Sequence, residues 1–262
     1  MGVLNVTPDS FSDGGLYAER DAAVGHGEAL FEAGADIVDV GGESTRPGGL
    51  ALDAETEIRR VVPIIDELRR RGQGFLSIDT TKAAVASAAL DAGADLVNDI
   101  SGLAFDPGLA RLVARRGVPA VLMHLRGDFL SMHRDPSYAD VMAEVIAELG
   151  QAVGRAESAG VPRAQVIVDP GIGFSKAAPH SLEVIRRLSE LAVLDQPVLA
   201  GPSRKSFIGR VLDLPVGERL MGTAAAVAAC VLAGAHIVRV HDVAPMTQVV
   251  RMCDAIRGEW AA

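Results

Sequence analysis

The chain has 262 residues, a formal net charge of −9, 49% hydrophobic residues and only 4% aromatic residues. This length suits a single α/β barrel, and an apolar share of mostly small and branched side chains suits parallel strands that helices cover on both faces. The acidic balance argues against a nucleic-acid partner, because such a partner favours a basic stripe on the protein.

No segment of the sequence is typical of a membrane or secreted protein. The longest apolar run, Ala224–Ala235, is shorter than the roughly 20 residues that a bilayer span requires. The start of the chain carries neither the basic segment nor the cleavage site of a signal peptide. We therefore expect a cytoplasmic protein in which Cys230 and Cys253 are buried thiols rather than a disulfide or metal ligands.

Short runs rich in β-branched residues alternate with helix-length segments along the chain. One such segment, from Glu55 to Arg70, repeats apolar residues at three- and four-residue spacing, which predicts an amphipathic helix. Strand alternating with helix predicts a parallel sheet. Eight units with no strand left over predict closure into a (β/α)8 TIM barrel that forms a single domain over residues 1–262. The predicted strands are Val3–Val6, Asp36–Val40, Phe75–Asp79, Leu96–Asp99, Ala120–His124, Val166–Asp169, Val198–Ala200 and Ile237–His241.

Two details refine this pattern. Ala-Gly-Ala tripeptides centred on Gly34, Gly93 and Gly234 each precede a predicted strand, and a glycine at such a place can adopt the positive φ that ends a helix. The first predicted strand begins almost at Met1, so we expect this chain to begin unusually late for a barrel.

Polar side chains lie at, or just after, nearly every predicted strand end, which is the end of a TIM barrel that carries its chemistry. Asp79, Asn98 and Asp169 offer acceptors and one amide, which suit a planar heterocycle rich in nitrogen. A second set offers donors and positive charge, which suit phosphate or carboxylate oxygens. The residues therefore predict a heterocycle that carries an anionic group. The second set is Arg46, Arg204, Lys205, Arg239 and His241.

Three of the strand-end residues have a simpler alternative. A strand-end aspartate often caps the following helix, and Asp79 before Thr80-Thr81-Lys82 fits that role as well as a role in the site. Asp99 can do no more than shape its turn. His124 at the end of the fifth strand either shapes the pocket or only packs.

Several segments resemble the motifs of dihydropteroate synthases, in the order of that family and over essentially the whole chain. The run from Asn5 to Gly15 resembles the first signature and the run from Asp39 to Gly48 the second, and together these two are highly specific. The sequence departs from the family at Leu125–His133, where a Gly-Thr-Pro stretch is usual, and at Ser175, where glycine is common. The other matching segments are Ser77–Thr80, Val97–Ile100, Met123–His124, Asp169–Phe174, Ser203–Phe207 and Arg239–Val243.

The resemblance implies a transferase of folate biosynthesis that joins a dihydropterin diphosphate to p-aminobenzoate, with Mg²⁺ as cofactor and a homodimer as the assembly. It implies pterin binding by Asp79, Asn98, Ile100, Met123, Asp169, Phe174 and Lys205. It implies diphosphate binding by Asn5, Thr45, Arg46, Arg239 and His241, with Asn5 also tied to Mg²⁺. It places Phe11, Thr45, Arg46, Pro47 and Ser206 around p-aminobenzoate. The implied catalytic residues are Arg239, His241, Lys205 and Asp79.

The implied reaction is loss of diphosphate from the pterin methylene along a carbocation-like path, followed by attack of the arylamine nitrogen. It requires no covalent nucleophile and no strong general base. We expect the first two strand-to-helix loops to close over the substrates and exclude water. Glycines in these loops would allow the backbone to move; the alternative is that they are ordinary turn glycines. They are Gly14, Gly15, Gly48 and Gly49.

Two other functions compete with this interpretation. A methyltransferase with a pterin-binding barrel would lack the Ser44–Gly48 loop and the pair Arg239 and His241 that faces the diphosphate. A catalytically silent relative that only binds a pterin or a protein partner would lose the diphosphate or p-aminobenzoate positions, and all of these are present in the sequence.

Overall fold

A computed structural model of the chain describes residues 1–6, 15–44, 52–72, 74–128, 131 and 137–259, and the side chains of the first helix from residue 20 onward. Within these residues strands and α-helices alternate, except that two α-helices lie between the last two strands. The strands are β1 (Gly2–Asn5), β2 (Ile37–Gly41), β3 (Phe75–Asp79), β4 (Leu96–Asp99), β5 (Ala120–Met123), β6 (Val166–Asp169), β7 (Leu199–Ala200) and β8 (Ile237–Val238). The helices are α1 (Gly15–Glu32), α2 (Ala54–Arg70), α3 (Ala83–Asp91), α4 (Pro107–Arg116), α5 (Val141–Ser158), α6 (Ala178–Arg186), α7 (Ser206–Leu212), α8 (Leu220–Leu232) and α9 (Val243–Ile256).

The strands close into a barrel. β1 to β6 pair in chain order, all parallel, and β7 pairs with β8. Two isolated bridges, Val168 with Val198 and Gly2 with Val240, join the two sheets. The backbone N–H of Val3 donates to the oxygen of Val240 at 3.0 Å, so the last strand meets the first. The predicted TIM barrel and its eight strands are confirmed: three strands have the predicted ends, and the others differ by one to three residues at an end.

Helices cover the outside of the barrel because each presents one apolar face to it. α2 is the clearest case: Val61, Ile64, Ile65 and Leu68 are at most 2% exposed. Each such side chain contributes roughly 1.5–3 kcal/mol by leaving water. The Asp53 carboxylate caps this helix by accepting from the N–H of Thr56 at 2.8 Å.

The side chains that point into the barrel are apolar near the amino ends of the strands and polar near the carboxyl ends. We call the carboxyl end of the barrel its mouth. A separate apolar cluster lies near the amino ends of the strands, and residues two positions later point to the same side. Thus Ile37 is followed on its face by Asp39, Leu96 by Asn98, and Ile237 by Arg239. The members of the cluster are Met1, Leu96, Val121 and Leu199, with Ile37, Ile167 and Ile237 packed against them.

Three glycines and both cysteines also meet the expectations from the sequence. Gly34, Gly93 and Gly234 have φ values of 98°, 108° and 98°, as expected for glycines that end helices. Cys230 and Cys253 are buried free thiols. Among the described helices none is long and apolar enough to cross a membrane.

Candidate active site

Arg239, which follows β8, lies between carboxylates of two other strands. Its Nε donates to Asp39 Oδ2 at 2.6 Å, and its Nη2 donates to Asp79 Oδ2 at 2.7 Å. The same Asp39 oxygen accepts from Asn98 Nδ2 at 2.9 Å. Residues from β2, β3, β4 and the end of β8 therefore share one hydrogen-bonded network at the carboxyl ends of the strands, which is where TIM barrels place their active sites.

Asp39 is a site residue that the sequence analysis did not identify. It is fully buried, and its second oxygen, Oδ1, has no partner among the described residues. A signal was present in the sequence, since an aspartate between two valines in a buried strand requires a partner. Its partner is 200 residues away along the chain, and proximity of that kind is not visible in sequence spacing.

Asp79 belongs to this hydrogen-bonded network and is not the cap of α3. The residue at the cap position of that helix is Lys82, whose side chain makes no capping bond, and the N–H of Ala83 donates instead to Asp106 Oδ2 at 2.8 Å. Burial raises the pKa of Asp79 to about 7, although the charge of Arg239 opposes the rise. Asp79 is thus poised to change its charge close to neutral pH.

Asp169 at the end of β6 faces the same mouth and is 7% exposed. Its Oδ1 accepts from the N–H of Gly171 at 2.7 Å. Burial raises its pKa, and hydrogen bonding to Gly171 and the charge of Lys205 oppose that effect. Within the described residues Oδ2 accepts no hydrogen bond, so it is open to a ligand.

Lys205 and an apolar cluster form the neighbouring wall. The Lys205 ammonium lies 3.9 Å from the centre of the Phe174 ring, a cation–π contact. Burial lowers the pKa of Lys205 to about 8, and the nearby charge of Arg239 lowers it too. The wall thus combines a flat aromatic face with a donor, which suits a planar heterocycle. The cluster consists of Ile100, Met123, Leu125 and Phe174.

His241 faces the mouth as a neutral donor and not as the cation that the sequence predicts. The hydroxyl oxygen of Ser203 accepts from the N–H of His241 at 3.2 Å, and the same hydroxyl lies 3.0 Å from His241 Nδ1. When the hydroxyl donates to Nδ1, the ring proton lies on Nε2. Burial lowers the pKa of His241 to about 4, and the charge of Arg239 contributes.

Two other strand-end residues do not join the network. Arg204 is exposed and pairs with Asp242, with 2.9 Å between Nε and Oδ2, so its charge is already neutralised. Asp99 accepts from the N–H groups of Ser101 and Leu103, at 2.8 and 2.7 Å. The alternative in which Asp99 shapes its turn is confirmed.

The residues predicted around p-aminobenzoate are described only in part. Ser206 is exposed at the first position of α7, and Asn5 is half-buried at the end of β1. Phe11, Thr45, Arg46 and Pro47 lie outside the described residues, as do Gly14, Gly48 and Gly49 of the predicted closing loops.

A metal site made by the protein alone is absent from the described part of the chain, where no group of three or more His, Cys, Asp or Glu side chains can hold an ion. Mg²⁺ does not require such a group, because it is usually held by one or two protein oxygens together with substrate phosphates and water. The amide oxygen of Asn5, at the mouth of the barrel, fits that kind of site.

Comparison with known proteins finds similarity to pterin-binding enzymes and to dihydropteroate synthases. A family model described as pterin binding enzyme matches residues 1–241. The dihydropteroate synthase of Synechocystis sp. is 45% identical over 98% of this chain and 89% of that protein. A solved dihydropteroate synthase of Xanthomonas albilineans with 4-aminobenzoic acid superposes with a TM-score of 0.92 at 43% identity, covering 98% of this chain and 92% of that one. The Yersinia pestis enzyme with a sulfonamide drug complex gives a TM-score of 0.93 at 40% identity, covering 98% of this chain and 94% of that one.

Proposed function

This chain belongs to the family of pterin-binding enzymes, and we propose that it acts as a dihydropteroate synthase, a transferase of folate biosynthesis. The proposed reaction transfers the methylene of a dihydropterin diphosphate to the amino nitrogen of p-aminobenzoate, and diphosphate leaves. The observation that carries the proposal is the 2.7 Å contact between Arg239 and Asp79. This contact places the guanidinium of Arg239, which suits an anionic leaving group, next to the carboxylate of Asp79, which suits ring N–H groups. Both lie at the mouth of the barrel.

The pterin ring is assigned to the acceptors of β3, β4 and β6. Asp79 and Asp169 accept from ring N–H groups, Asn98 adds an amide, and Lys205 donates to the ring carbonyl and a ring nitrogen. The cluster of Ile100, Met123 and Phe174 flanks the ring. Because burial raises the pKa of Asp79, its charged, accepting form becomes more populated as the pH rises through about 7.

Diphosphate departure is assigned to Arg239 and His241. As the C–O bond breaks, negative charge grows on the diphosphate, and the guanidinium together with the Nε2–H of His241 stabilises it. Positive charge grows on the methylene and spreads into the ring, where the carboxylates of Asp79 and Asp169 stabilise it. The arylamine nitrogen then forms the new C–N bond and releases a proton. Such an amine is weakly basic, so no strong general base is required.

We propose Mg²⁺ as the cofactor, held by the amide oxygen of Asn5 and the diphosphate oxygens. When bound, the ion supplies further positive charge against the leaving oxygens. On the other side of the mouth, p-aminobenzoate is assigned to Phe11, Thr45, Arg46, Pro47 and Ser206, and Thr45 and Arg46 are also assigned to the diphosphate.

We propose that residues 1–262 act as one pterin-binding domain in the cytoplasm, as a homodimer and without a nucleic-acid or membrane partner. The α7–α8 region supports the dimer because it exposes a group of apolar side chains that a second copy would cover. Analytical ultracentrifugation tests this assembly, and a sedimentation coefficient of a monomer at micromolar concentration would contradict it. The exposed group is Val211, Leu212, Val216, Leu220 and Met221.

One assay tests the proposed activity directly. Purified protein is mixed with Mg²⁺, the dihydropterin diphosphate and p-aminobenzoate, and dihydropteroate is measured by chromatography. Absence of product above background would refute the proposed activity. The protein would then be a catalytically silent relative that only binds a pterin or a protein partner. Asp169→Ala serves as the matched control, since it should lose pterin binding while its circular dichroism spectrum stays that of the folded barrel.

The carbocation-like path has its own test. Deuterium at the pterin methylene should produce a clear normal secondary isotope effect on kcat/KM, because the carbon becomes trigonal as diphosphate leaves. The same substrate labelled elsewhere in the ring provides the control. An effect close to unity with chemistry rate-limiting would argue for a concerted displacement instead.

A further inference from the structure

Lys176 is a buried lysine that the proposed reaction does not use. It lies in the loop between β6 and α6 and is 6% exposed. Its ammonium has three partners: the carbonyl oxygens of Gly171 and Phe174, both at 3.2 Å, and Nδ1 of His124 at 2.8 Å. Burial lowers the pKa of Lys176 to about 7, and when the amine is charged each of its three N–H groups has an acceptor. A lysine bonded in this way to two carbonyls of its own loop fixes the shape of that loop.

The third bond ties the loop to the rest of the barrel. Nε2 of His124 lies 3.0 Å from the carboxylate oxygen Oε2 of Glu148 on α5, which can only accept, so the ring proton lies on Nε2 and Nδ1 accepts from Lys176. Burial lowers the pKa of His124 to about 2, so the ring stays neutral and can act as this acceptor. Glu148 also accepts from Arg126 Nε at 3.0 Å. The chain of bonds therefore runs from α5 through the end of β5 to the loop after β6.

The loop also packs tightly against the end of β5. Gly171 has φ of 67°, and a Cβ at this position would lie 2.1 Å from the carbonyl oxygen of His124. No side chain fits at that distance, so the backbone of the loop lies directly on the backbone of β5. Because the two backbones are already in contact, the loop cannot move closer to β5 at this point.

Two groups of the proposed pterin pocket depend on this loop. Asp169 precedes it, and its carboxylate accepts from the N–H of Gly171. Phe174 lies within the loop, and its ring contacts the ammonium of Lys205. The carbonyls of the same two loop residues, Gly171 and Phe174, are the ones that Lys176 binds.

We infer that Lys176, held by His124 and Glu148, is a positioning residue that sets the Asp169 carboxylate and the Phe174 ring for the pterin. The inference rests on the proposed function of the mouth, because it concerns the same ligand. Lys176 itself touches no substrate. Its loss should therefore affect the pterin and spare p-aminobenzoate.

The test compares Lys176→Met with Arg69→Met. Arg69 also donates to a loop carbonyl, that of Gly93, at 2.7 and 3.0 Å, but at the opposite end of the barrel. Each variant is measured for Tm, for KM of both substrates, and for the Kd of the pterin diphosphate by calorimetry without p-aminobenzoate. We expect Lys176→Met to raise the pterin KM and Kd about tenfold or more with the p-aminobenzoate KM within twofold, and Arg69→Met to change Tm alone.

A second pair of variants keeps the inference testable if Lys176→Met does not fold. His124→Asn retains an acceptor near the place of Nδ1, whereas His124→Leu removes it, so only the leucine variant should weaken pterin binding. A folded Lys176→Met or His124→Leu protein with the wild-type pterin Kd would overturn the inference. Failure of the wild-type protein to form dihydropteroate would instead overturn the proposed function, so the two failures are distinguishable.

Discussion

Replacement of Asp39 by asparagine should weaken turnover without unfolding the protein. Oδ2 of this fully buried side chain accepts from Arg239 at 2.6 Å and from Asn98 at 2.9 Å. Asparagine has nearly the same shape, so its amide oxygen can keep both bonds while the negative charge is lost. The variant therefore tests whether the negative charge of Asp39 holds Arg239 in the position that binds the diphosphate.

The magnitude follows from the kind of bond that changes. The bond from Asn98 changes from one to a charged group, worth about 1.5–3 kcal/mol, to a neutral one, worth about 0.5–1.5 kcal/mol. The bond from Arg239 keeps its charged donor but loses the opposite charge of its partner. A difference of about 1.4 kcal/mol corresponds to roughly a factor of ten in rate. We therefore expect kcat/KM for the pterin diphosphate to fall about tenfold in Asp39→Asn. Asp39→Ala breaks a buried ion pair and should cost about 3–5 kcal/mol of stability.

The pH profile supplies a second signature. Burial raises the pKa of Asp79 to about 7, Arg239 opposes the rise, and the charge of Asp39 adds to it. If ionised Asp79 binds the ring, kcat/KM increases as the pH rises through that pKa. Loss of the Asp39 charge lowers the pKa of Asp79, so the acid limb of the profile should move to lower pH in Asp39→Asn.

The assay is steady-state kinetics across the neutral range with Ser77→Ala as the matched control. Ser77 lies opposite Asp39 in the strand register, is buried, and its hydroxyl has no partner within the described residues. Its removal alters the same layer of the barrel without touching Arg239. If kcat/KM and the acid limb of Asp39→Asn both match those of the wild type, Arg239 does not depend on Asp39 and the reasoning fails.

The remaining predictions concern substrate-binding groups. Lys205→Met should abolish pterin binding in calorimetry yet raise Tm at pH 7, because burial lowers the pKa of Lys205 to about 8 and the folded protein therefore disfavours the ammonium. The folded-state pKa lies below the ordinary value of 10.5, so the destabilisation by the buried ammonium is present at pH 7 and fades as the pH rises from about 8 to 10.5. A Tm gain of Lys205→Met that stays constant over this pH range would contradict the prediction. His241→Asn removes the Nε2–H donor and should lower kcat about a hundredfold, while the affinity for 6-hydroxymethyl-dihydropterin, which lacks the diphosphate, stays the same; a loss confined to KM would argue against a role in the leaving step. Sulfonamides that mimic p-aminobenzoate should inhibit competitively with an inhibition constant near the KM of p-aminobenzoate, and a constant far above that KM would overturn the expectation.

Much of the fold and part of the site are visible in the sequence. Eight β-branched runs separated by helical periodicity predict the barrel, since burial on both faces requires apolar strands and the outer helices require one apolar face. Because the carboxyl ends of parallel strands meet at one mouth, Asp79, Asn98 and Asp169 can be placed together without coordinates. The same local rules place the three glycines that end helices.

Contacts between distant strands are decided only by the tertiary structure. Closure of the barrel depends on Val240 reaching Gly2, and the partner of Asp39 is Arg239, 200 residues away. The sequence left a cap role for Asp79 open and predicted positive charge on His241. The structure decides both, because partners and burial determine the role and the charge of a side chain. Sequence spacing thus determined which residues reach the mouth, and packing determined how they pair and which of them carry charge there.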